Sequence, residues 1–328
     1  MFGLFVRFFN THSGQISLRR GPAVVFKTST LTVPKVSFYL VAFVITLFSW
    51  SSKPAMAQEL PQFEQVKIES FSGAGLFSSA QLKIDGYLLR SARDGKSPGA
   101  VLAPACAGLL NEAKRVRPWY RQMAVQLKYL GITSVLIDGF NPRGTVEICT
   151  QKLRDRTIDT DTRMSDSLAG LRYMRGRKDI DAGKVFLITW GAAGSLETMS
   201  RDNPKMKELG SGFTASIMFY PDCAGVNRPY SAYAPIKMLI GEKDEWNPPA
   251  PCLALAADTS SNSAPVTVKL FPDALHGFDT PQPVHEMHDV GGHKSVTVGG
   301  NIKARKEAHK EIAAFLTGFG VSPATGSK

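Results

Sequence analysis

Three stretches of the chain end an apolar run in residues able to shape a reacting centre. VFLITWGAAGS at 185–195 passes from a strand-like run into small residues, with Gly191 at the bend. MLIGEKDEWNP at 238–248 ends in a loop that carries Asp244, and KLFPDALHGFD at 269–279 carries His276 just beyond its apolar part. Aspartate and histidine are side chains suited to general acid–base work near neutral pH. The first stretch offers no hydroxyl or thiol at its bend. The next hydroxyl after the bend, Ser195, comes four positions later, one turn into the expected helix, and should point away from the histidine.

Groups so far apart in sequence meet only if a sheet gathers the ends of its strands. Two alternating stretches at 65–69 and 80–89 suit antiparallel strands at a sheet edge. After the turn residues at 96–99, short apolar runs follow at 100–103, 134–137, 185–189, 216–220, 236–240 and 266–271, the pattern of strands buried on both faces. Helical spacing places Met123, Leu127 and Leu130 on one side of 119–130, and Leu168, Leu171 and Met174 on one side of 164–174. A closing helix over 301–316 carries Ile312, Phe315 and Leu316. The alternation predicts an α/β fold with one doubly wound, mostly parallel sheet and helices on both faces, in which functional groups sit at the carboxyl ends of strands. With no internal repeat or linker, 58–328 forms a single domain. The segment 280–300, rich in Pro, Gly and His, is expected to be a surface loop. Its His285, His288 and His293 lie near His276 in sequence but lack a helical ligand motif, so no metal is assigned.

Together these segments resemble the elbow, acid loop and histidine loop of α/β-hydrolases, and more particularly the dienelactone hydrolase family. The likeness rests on Cys106-Ala107-Gly108 after the first core strand, on IDGFNPRG at 137–144 with Cys149, on Trp190, on Gly241-Glu242-Lys243-Asp244, and on ALHGFD at 274–279; it extends over about residues 80–319. It implies that His276 acts as general base and then acid, and that Asp244 orients it and stabilises the imidazolium. In the family pattern Gly-x-Ser-x-Gly a serine stands at the bend; here the frame reads Thr189-Trp190-Gly191-Ala192-Ala193, so Gly191 takes the nucleophile's place. On the oxyanion side Pro104-Ala105 replaces the His-Gly of relatives. Proline has no amide hydrogen, which leaves the amides of Cys106 and Ala192 as donors. The implied function is hydrolysis of a small ester or lactone, by water activated directly on the His–Asp pair. The alternative is a pseudoenzyme that keeps the fold to bind a small ligand or a protein. Neither reading calls for a cofactor.

The formal charge of +11 suggests nucleic acid until it is located. Arg7, Arg19, Arg20, Lys27, Lys35 and Lys53 all precede the first acidic residue, Glu59, and removing these six leaves +5 spread over the rest. Nucleic acid is therefore not an expected partner. The same region holds an apolar run at 36–50 followed by Ala55-Met56-Ala57, the pattern of a secretory signal cleaved before Gln58. Its 15 residues fall short of the roughly 20 that span a bilayer, so no membrane span is expected after cleavage. The reading is thus a leader at 1–57 and an exported protein, periplasmic or secreted. Export suits disulfides among Cys106, Cys149, Cys223 and Cys252. Of three possible pairings, Cys106 with Cys149 and Cys223 with Cys252 join loops that follow neighbouring strands.

Overall fold

The computed structural model describes residues 62–73, 81–156, 158–191 and 194–324. The expected leader at 1–57 and the amide of Ala192 lie outside them. Strands β1 (Glu64–Gly73) and β2 (Gln81–Leu89) pair antiparallel at one edge, and β2 pairs antiparallel with β4 (Thr133–Asp138). From β4 the sheet runs parallel through β3 (Ser97–Ala103), β5 (Ile180–Trp190), β6 (Ser216–Phe219), β7 (Ile236–Gly241) and β8 (Val266–Phe271), in the order β1-β2-β4-β3-β5-β6-β7-β8. Every residue of β3 and β4 is buried, which is why both read as unbroken runs instead of alternating ones.

Helices cover both faces. On one, α1 (Pro118–Tyr129) and α6 (Ile302–Thr317) bury Met123, Leu127, Ile312 and Leu316 against Ala100, Leu136 and Ile188. On the other, α2 (Thr160–Arg175), α3 (Ser195–Met199) and α5 (Pro249–Ala257) pack Leu168, Leu171, Met199 and Leu255 against Val101, Leu187 and Met238. A four-residue helix, α4 (Met206–Leu209), precedes β6. Local signals set the helix starts: Asp159 caps α2 by accepting from the Thr162 N–H at 2.8 Å, Asn301 caps α6 by accepting from the Ala304 N–H at 3.1 Å, and Pro118 opens α1.

Helix α2 buries polar residues as well. Asp166 accepts from Arg143 at 2.7 and 2.9 Å and from the Ser70 hydroxyl at 2.5 Å. The loop after β4 and strand β1 are thereby tied to one carboxylate, so the buried charge is compensated.

Two expectations require correction. The segment at 280–300 is largely a hairpin, in which β9 (His285–Val290) and β10 (His293–Val298) pair antiparallel as a separate two-stranded sheet. Val290, Val296 and Val298 are buried against Trp246 and Met287. The strand signal, alternating Val296 and Val298, is short and masked by the surrounding Pro, Gly and His. Ser195 is the first residue of α3, not one turn into it, and is buried; the chain turns into that helix at Gly194.

Candidate active site

The ends of β5, β7 and β8 converge. Gly241 closes β7 beside the histidine loop so tightly that a Cβ there would lie 2.3 Å from the Ala274 carbonyl oxygen. The Lys243 N–H donates to that same carbonyl at 2.9 Å. Only glycine permits this approach, and the approach brings Asp244 to His276. The His276 Nδ1 lies 3.0 Å from one Asp244 carboxylate oxygen and 3.2 Å from the other. The Asp244 side chain is fully buried and also accepts from the Trp246 N–H at 3.0 Å and the Asn247 N–H at 2.8 Å. A carboxylate so held fixes the imidazole's rotation and leaves Nε2 for chemistry. Tyr220 and Trp246 pack on the imidazole at 4.2 and 4.8 Å between ring centroids.

At the bend after β5, Gly191 has φ +65°, and its N–H donates to the Phe219 carbonyl at 2.9 Å. Among the described residues, and leaving out its chain neighbours, no atom lies within 4 Å of the place a Cβ would occupy. Trp190, just before it, donates from Nε1 to Asp279 at 2.7 Å, and the Tyr220 hydroxyl donates to the other oxygen of that carboxylate at 2.9 Å. Burial raises the Asp279 carboxyl above its ordinary range, and these two donors pull it partly back. Burial, with the Asp279 charge next, likewise holds the Tyr220 phenol well above its usual value. Asp279 thus joins the bend, the end of β6 and the histidine loop, a role its place in ALHGFD does not announce.

The loop after β3 forms the opposite wall. The Ala105 N–H donates to the Tyr120 hydroxyl at 2.9 Å, the Gly108 N–H to the Ala105 carbonyl at 3.0 Å, and the Pro104 carbonyl accepts from Arg163 at 2.5 Å. The Cys106 N–H finds no acceptor among the described residues. Cys106 is bonded to Cys149, and Cys223 to Cys252. The bonded Cys106 sulfur is no nucleophile, but its amide is positioned as a donor.

His276 stands where two cavities meet, with Ala105, Cys106 and Trp246 shared between them. One, of about 410 Å³, holds Gly191 together with Arg156, Arg163, Asp159 and Asp222. Burial lowers the Arg163 guanidinium to about 10 and pulls that of Arg156 down as well. The other, of about 200 Å³, is an aromatic slot walled by Trp119, Tyr120 and Tyr220, with Arg117 at its side and Met287 and Val298 from the hairpin. Ser195 lines neither. The arginines carry no family motif; only the loop conformations bring them here. Among the described residues no group of three or more His, Cys, Asp or Glu gathers in a metal-holding cluster.

The dienelactone hydrolase family model matches residues 84–319. Among solved structures, a dienelactone hydrolase-like promiscuous phosphotriesterase from metagenomic libraries superposes with a TM-score of 0.56 at 16% identity, covering 78% of this chain and 98% of that one. Esterase 2 of Thermogutta terrifontis, solved after phosphorylation by paraoxon, superposes with a TM-score of 0.54 at 16% identity, covering 82% of this chain and 98% of that one. At such identities the likeness is one of fold. No protein of curated function matches the chain in sequence.

Proposed function

The chain belongs to the dienelactone hydrolase family, and from that premise we propose that it hydrolyses small carboxylic esters or lactones by water activated on His276 and Asp244, with Gly191 in the nucleophile's place. The observation that carries the reading is that His276, held from behind by the buried Asp244, lines one cavity together with Gly191 and Cys106. In this reaction a water beside Gly191 gives a proton to His276 Nε2 as its oxygen adds to the carbonyl carbon. Asp244 holds the proton on Nδ1 and stabilises the imidazolium. The carbonyl oxygen takes up the negative charge and faces the Cys106 N–H. Collapse breaks the bond to the alkoxy oxygen, which receives the proton from His276. One water is consumed, an acid and an alcohol leave, and no bond to the protein forms.

A second reading draws support from the same glycine: without a side chain at 191 the fold binds a small ligand or a protein and turns nothing over. The two part on one measurement. In a panel of short-chain fluorogenic esters and a lactone, the hydrolase reading expects turnover by the purified protein that disappears in His276→Ala. A silent parent that is stabilised thermally by a ligand leaves the binding protein standing instead. We assign the work to the exported chain from Gln58 onward, periplasmic or secreted. The apolar run at 36–50, Ala55-Met56-Ala57 and two disulfides support that assignment.

A further inference from the structure

The aromatic slot beside His276 has a chemistry of its own. Its walls are mostly rings and sulfur, Trp119, Tyr220, Trp246 and the Cys106–Cys149 bond, with the neutral polar side chains of Thr280 and Gln282 and the ring of His285 toward the hairpin. Among the described residues no aspartate or glutamate lines it, and Arg117 is the one permanently charged residue that does. That guanidinium donates from Nη2 to the Ala107 carbonyl at 3.0 Å and lies 5.6 Å from the Trp119 ring centroid. Its Nε is buried and has no acceptor among the described residues. A guanidinium with one N–H left unmatched is under-compensated, and a carboxylate in the slot that Arg117 lines pairs with its charge. The larger cavity differs, since Asp159 and Asp222 stand there with Arg156 and Arg163. An acidic group therefore gains more in the slot than in the larger cavity.

Size narrows the ligand further. An apolar cavity of roughly 150 Å³ is enough to hold benzene. The slot's volume of about 200 Å³ thus suits one ring with a small substituent. We infer that the slot is an acyl subsite for the ester of a single-ring aromatic acid, with a second carboxylate on the ring paired to Arg117 and the ring held among Trp119, Tyr220 and Trp246. In placing the ester carbonyl at His276 the inference rests on the proposed hydrolase reading; the binding itself does not require turnover.

Trp119 and Trp246 line the slot, so occupancy is read as quenching of tryptophan fluorescence, with calorimetry as an independent measure. The probes are monomethyl terephthalate, which has both ring and acid; methyl benzoate, which lacks the acid; and monomethyl adipate, which lacks the ring. Monomethyl terephthalate should bind the purified protein about tenfold or more tightly than either of the others. Arg117→Gln should erase its advantage over methyl benzoate, while Arg117→Lys keeps part of it. Trp119→Ala should erase its advantage over monomethyl adipate. Equal affinity for all three, no binding of any below about 1 mM, or a preference that survives in a folded Arg117→Gln overturns the inference. If Arg117→Gln does not fold, the three titrations of the parent decide alone. A protein that binds monomethyl terephthalate preferentially without hydrolysing any ester keeps the subsite and loses the hydrolase. One that hydrolyses esters with no preference in binding does the reverse.

Discussion

Placing serine at 191 tests the proposal that this position stands in a nucleophile's place. At φ +65° an L-residue carries about 1–2 kcal/mol of backbone strain. Part of this is offset, by about 0.4–1 kcal/mol, because serine has fewer unfolded conformations to lose than glycine. Among the described residues beyond its chain neighbours nothing lies within 4 Å of the new Cβ, so none of them adds a clash to the balance. The net loss of about 1 kcal/mol should lower Tm by roughly 2–4 °C for a domain of this size. Against that, Gly191→Ser supplies an oxygen beside an imidazole already held by Asp244 at 3.0 Å. An attacking hydroxyl activated by such a base should raise kcat/KM on short esters by at least about 100-fold, or roughly 2.7 kcal/mol of barrier. The assay is stopped-flow hydrolysis of 4-nitrophenyl acetate, with a burst matching the protein concentration and an acyl adduct by mass spectrometry. A folded variant that shows neither burst nor gain, or a gain that persists when His276→Ala is added, would refute the argument that His276 serves the bend at 191.

Two further outcomes follow from groups around the same centre. Asp279→Asn leaves one carbonyl oxygen where two carboxylate oxygens took the Trp190 and Tyr220 hydrogens, and should cost about 1–3 kcal/mol in denaturant melts. Because burial raises the Asp279 pKa, the native state binds its proton before the unfolded chain does. Stability from this group is therefore greatest at low pH and falls as pH rises from the ordinary aspartate value through the raised one, so Asp279→Asn should flatten that part of the Tm–pH curve. The disulfides should separate in their effects. Each closes a loop, Cys106 and Cys149 standing 43 positions apart and Cys223 and Cys252 29 positions apart, and removing either pair as serine should cost about 3–4 kcal/mol. Only loss of the first should also lower turnover and slot binding, since only its residues line the cavities beside His276; equal effects on function would contradict that assignment.

The sheet could be read from the sequence because its central strands are buried on both sides. Residues 100–103 and 134–137 keep their apolar character whatever the loops do, and loops after neighbouring strands also suggested which cysteines meet. Asp244 follows such a strand. His276 follows β8, whose run at 266–271 suggests burial on both faces, but β8 is the sheet's outer strand with only Phe271 of its six residues buried; a parallel sheet still delivers both strand ends to one edge. What escaped depends on contacts that no local pattern encodes. Asp279 reaches Trp190 across 89 positions and Tyr220 across 59, and neither bond leaves a periodic trace. Arg117, Arg156 and Arg163 look like ordinary surface charges until the loops fold around them. In the hairpin, two valines on one face carry the strand signal among residues that favour turns, so composition outweighed alternation.

That hairpin does more than complete a wall. The Gly299 N–H donates to the His276 carbonyl at 3.0 Å, and His276 bridges Val298 in parallel. The backbone of His276 and the rim of the slot are therefore one piece of chain folded on itself. A lengthened or re-registered hairpin that admitted a larger acyl group would drag the imidazole with it. Descendants of this protein that change what the slot holds should alter the side chains at Met287 and Trp119 and keep the hairpin's length, because the slot's rim and His276 share one stretch of backbone.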